Sequence, residues 1–171
     1  MSLFEDKNYQ YRDTYFVFFK KSDRPSADKV QSCLANLGDK YETKRVVAKE
    51  DELESITVSS PHDFSAMDVV YVEGEEVSTQ VTELLDEFRT ITLTGDDTQK
   101  LTKVQECDAR FDIFFFEQVT DGTSGDEFLD PGGLLLVMEK LASVCDGIGL
   151  DPQSNASVSY THLTLPTKRI V

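Results

Sequence analysis

The densest chemistry in the chain is a run of acids. Asp121, Asp126, Glu127 and Asp130 place four carboxylates within ten residues. Hard divalent cations take oxygen ligands, so such a loop is a candidate Ca²⁺ or Mg²⁺ site. It lacks the acids at alternating positions that a calcium loop uses, and Gly122 and Gly125 make it a loose connection. The preferred reading is a polar loop that ends in a helix cap, with the cation site as the alternative. Asp130 then serves as N-cap and Pro131 as the first helical residue, where a missing N–H costs nothing. Gly132 and Gly133 follow, although Gly costs about 1 kcal/mol against Ala inside a helix. They would allow an anion, or a neighbouring backbone, to come close to the helix start.

Other reactive residue types are sparse. Ser60-Pro61-His62-Asp63 holds the residue types of a hydrolytic triad. Consecutive residues point in different directions, however, whereas a triad is assembled from separated parts of a fold. A solvated turn is the preferred reading. Cys33, Cys107 and Cys145 are odd in number and far apart, as expected of reduced thiols packed in a core. Asp112 and Glu117 sit in or beside a phenylalanine-rich run. Either Asp112 faces solvent from an edge strand, which is preferred, or it is forced into a dry site with a raised pKa. No phosphate loop, dinucleotide fingerprint, nucleophile elbow or zinc spacing is present, so the sequence assigns no catalytic residue, no metal ligand and no cofactor.

Charge narrows the partners. The net charge is −15, and no basic patch breaks it. Such a chain repels phosphate backbones and anionic lipid, which argues against nucleic acid and membrane surfaces. Its longest apolar run, Leu134 to Met138, is far too short to span a bilayer. A start without an apolar core is not a secretory signal. These points predict a cytoplasmic protein.

Hydrophobic spacing then supplies the elements that would carry these residues. Strands are expected at 14–20, 41–48, 53–59, 67–72 and 110–119, with the second and third joined as a hairpin through Lys49-Glu50-Asp51-Glu52. Val30, Cys33, Leu34 and Leu37 fall at helical spacing after the cap Ser26, and Gly38 ends that helix. Val81, Leu84, Leu85 and Phe88 repeat the spacing from Ser78 onward. Gly95-Asp96-Asp97 reads as a turn, with Leu101 and Val104 hinting at a short helix. Leu134, Val137, Met138, Leu141, Val144 and Cys145 line a further helix that stops at Gly147. Ile148-Gly149-Leu150 opens a last strand.

The implied fold is α+β: a two-layer sandwich whose mixed, mostly antiparallel sheet carries helices on one face in ferredoxin-like units. Phe16, Phe18, Phe114 and Phe116 share one strand alternation, and Phe19 and Phe115 take the other. Phe on both faces means that the strands are covered twice, or that one face meets a partner.

The end of the chain departs from this pattern. The last acid is Asp151, and at the overall acid frequency a twenty-residue stretch without one arises about one time in a hundred. The string Ser159-Tyr-Thr-His-Leu-Thr-Leu-Pro-Thr-Lys-Arg-Ile-Val171 resembles the translation of a synthetic sequencing adaptor. That resemblance implies a single domain over 1–155, truncated at its C-terminus, followed by a non-native tail at 156–171 that is irregular or a makeshift extension of a sheet edge. Without Lys168 and Arg169 the net charge is −17. The functional expectation is a non-enzymatic protein-interaction or self-association module, binding a protein partner or forming a homodimer. The alternative is a small-ligand or divalent-cation binding module, or an enzyme fragment, built on the acidic loop 121–130.

Overall fold

The computed structural model describes residues 3–38, 41–60, 64–88, 95–119, 132–151 and 162–164. The strands are β1 (Tyr9–Phe19), β2 (Glu42–Lys49), β3 (Glu52–Ser60), β4 (Ser65–Glu73), β5 (Ala109–Gln118), β6 (Ile148–Asp151) and β7 (His162–Thr164). The helices are α1 (Ala27–Ala35), α2 (Glu75–Phe88), α3 (Gly95–Gln105) and α4 (Gly132–Cys145). One sheet joins all strands in the order β2-β3-β4-β5-β1-β6-β7. Every pair is antiparallel except β6 with β7.

Local chemistry explains the element ends. Glu50 and Asp51 both have positive φ, at 53° and 64°, which makes the two-residue primed turn that suits the twist of the β2–β3 hairpin. Ser26 caps α1 by accepting the Lys29 N–H at 3.2 Å. At the end of α4 the left-handed residue is Asp146, at φ 51°, not the glycine after it. The Gly147 N–H reaches back to the Ala142 carbonyl at 2.8 Å, closing a Schellman motif. Gly147 is small for another reason: a Cβ there would lie 2.5 Å from the Phe18 carbonyl of β1. Gly133 likewise faces Tyr41, whose hydroxyl would sit 2.8 Å from an added Cβ. Close packing accounts for that residue of the Gly132-Gly133 pair.

The expectation of helices on one face is corrected. On one side of the sheet, α1 and α4 cover Val17, Phe19, Met67, Val69, Phe111 and Ile113. On the other, α2 and α3 cover Phe18, Ile148 and Leu150 with Val77, Val81, Leu84, Leu101 and Val104. Adjacent β1 residues Phe18 and Phe19 belong to opposite sides, as strand alternation requires. Two apolar faces on one central strand need two covers, so the two-layer arrangement gives way to helices on both faces. The parallel neighbour expected of each crossover is not found beside β1, because both of its neighbours, β5 and β6, are antiparallel to it. A right-handed crossover would have given β1 a parallel neighbour.

Gly95 to Asp97, expected as a turn, lies inside α3. The helix α2 starts at Glu75, three residues before the expected Ser78, and its first turn holds Glu75 and Glu76, which suit a positive helix end. In the 156–171 segment, His162–Thr164 forms β7 along the sheet edge, and the other residues lie outside the described ones. Among the described residues no helix is long and apolar enough to cross a membrane.

Candidate interaction surface

The α2/α3 face is only partly covered by those helices. Toward the start of β1 its cover, among the described residues, is the 3₁₀ turn Leu3–Glu5. Leu3 is fully buried against Ala66 and Phe116. Its backbone N–H donates to Asp68 Oδ2 at 3.1 Å, and the other Asp68 oxygen accepts the Thr57 hydroxyl at 2.5 Å. Asp68 is 8% exposed, so these two neutral donors are what make a buried carboxylate tolerable there. The pin holds Phe4 across the sheet, edge-on to Phe116 at 4.8 Å and to Phe114 at 5.3 Å between ring centroids. Tyr11 joins them, 5.3 Å from Phe4 and 5.9 Å from Phe116. Even so, Phe4 remains 56% exposed and Tyr11 41%. The result is a contiguous aromatic surface on the sheet, next in the chain to the charged residues Glu5, Asp6 and Lys7.

The neighbouring half of the same face holds a different device. Arg110 and Asp112, both buried, are bonded through Arg110 Nε to Asp112 Oδ1 at 2.5 Å. The guanidinium also reaches Glu76 at 3.1 Å and Gln80 of α2, and lies 5.3 Å from the Phe16 ring centroid. This corrects the edge-strand reading of Asp112: β5 is central, between β4 and β1, and Asp112 is inside. Burial pushes its pKa up, against the pull of Arg110, with Glu76 adding a smaller upward push. The pair bonds α2 to the sheet. Glu117 lies at the far end of β5, half-buried beside Arg12.

Two clefts lie away from this surface. One of about 610 Å³ is lined by Lys21, Arg24, Ser26, Asp51, Glu52 and Glu73 among others. Its charges close on each other. Arg24 meets Glu52 at 2.9 Å and stacks 3.6 Å over Tyr71, while Lys21 meets Glu73 at 3.4 Å. The Tyr71 hydroxyl donates to Glu73 at 2.7 Å, and burial together with that carboxylate pushes the phenol pKa far up. This corner is a staple between β3, β4 and the turn before α1. The other cleft, about 440 Å³, is a groove between α1 and α4 holding Cys33. The Cys33 thiol donates to the Lys140 carbonyl at 3.3 Å, and burial raises its pKa. Cys107 and Cys145 are core residues whose pKa values burial pushes up to about 12, away from thiolate chemistry.

Of the sequence-stated candidates, Asp121, Asp126, Glu127 and Asp130 lie outside the described residues, as do Pro61, His62 and Asp63. Ser60 is buried at the end of β3. Among the described residues no group of three or more His, Cys, Asp or Glu is placed to hold a metal ion. Sequence reasoning passed over Leu3, Phe4 and Asp68. The available signals were an apolar pair at the head of a polar segment, and an acid inside the apolar run Met67-Asp68-Val69-Val70. No protein-family model, curated protein or solved structure matches the chain.

Proposed function

We propose that this chain is a protein-association module, and that it works through the aromatic surface of Phe4, Tyr11 and Phe114 rather than through catalysis. The observation that carries this reading is the exposure of Phe4 and Tyr11 beside Phe114 and Phe116, on a part of the sheet that no described helix covers. Aromatic residues fixed on a sheet supply large contact area at little cost in side-chain freedom, which is the chemistry of an interface core. The charged residues next to it in the chain favour a protein surface over lipid or nucleic acid. Three unpaired thiols support a reducing, cytoplasmic setting. Residues 158–171 have no part in the proposal, given their resemblance to adaptor translation.

Sedimentation velocity across a wide concentration range tests it. The expected result is self-association, or a stoichiometric partner, that is lost when Phe4→Ser and Tyr11→Ser are combined. A chain that stays monomeric without a partner, or an association that survives the double substitution, overturns the proposal.

A further inference from the structure

We draw no further inference here: the strongest candidate, the exposed edge strand β2 with Lys44, Arg45 and Lys49, is broken in register on both sides of Val47 in the way that keeps an edge from pairing, and nothing in the structure shows what covers it.

Discussion

The α2/α3 face of the sheet has two halves that solve one problem differently. Each half buries a carboxylate, Asp112 in one and Asp68 in the other, both 8% exposed. Asp112 is neutralised by a buried cation that reaches on to Glu76 and Gln80, so its half fastens a fourteen-residue helix. Asp68 is satisfied by a hydroxyl and one backbone N–H, so its half fastens only a three-residue turn. A charged network that spans elements makes a permanent cover. A single backbone hydrogen bond with one buried leucine makes a lighter cover. That difference leaves aromatic side chains exposed in one half, where the proposed interface lies, and not in the other.

The largest test of that contrast is Arg110→Met. It strands Asp112 without its cation and cuts both bonds to α2, and breaking a buried pair costs about 3–5 kcal/mol. Denaturant unfolding at neutral pH should show a loss of that order, and hydrogen exchange should show α2 opening. The loss should shrink on acidification, because a lone buried Asp112 becomes neutral by taking up a proton. A cost under about 1 kcal/mol would mean that apolar packing of Val77, Val81 and Leu84 holds the helix by itself.

Asp68→Ala should cost less and act elsewhere. It leaves the Leu3 N–H and the Thr57 hydroxyl without their acceptor, a loss of about 1–3 kcal/mol. Exchange protection should disappear at Leu3 to Glu5 and persist along α2. If α2 opens as well, the two halves form one cooperative unit and the contrast fails.

How much of this was legible in the sequence follows from what each residue type signals locally. The hairpin around Lys49 to Glu52, the Ser26 cap and the fourth helix were readable, because turn chemistry and helical spacing are local. The missed part of β1, Tyr9 to Asp13, contains the register break between Tyr11 and Asp13, which spoils simple alternation. The double cover was foreshadowed by Phe18 and Phe19 on opposite alternations, yet which option held depended on where α2 and α3 dock. Asp112 and Asp68 were least legible. An acid in an apolar strand reads the same on an edge as in the centre, and strand order is a long-range property that spacing does not encode. The interaction surface depended on Leu3 meeting Asp68 across 65 residues.

The smallest effect is a pH dependence that belongs to Asp112 alone. Burial raises its folded pKa above the ordinary aspartate value, so the folded state binds this proton more tightly than the unfolded chain does. The sign follows from linkage. The stabilising contribution is complete below the unfolded pKa and is lost as pH rises through the folded pKa. Asp112 therefore favours folding under mildly acid conditions, opposite to an ordinary salt-bridged carboxylate. Relief of the general acidic repulsion has the same sign, so only a difference between profiles isolates it. Asp112→Asn keeps the shape and removes the titration. Its stability profile should rise less steeply than the parent's as pH falls toward 4. Parallel profiles for Asp112→Asn and the parent would show Arg110 compensating Asp112 in full.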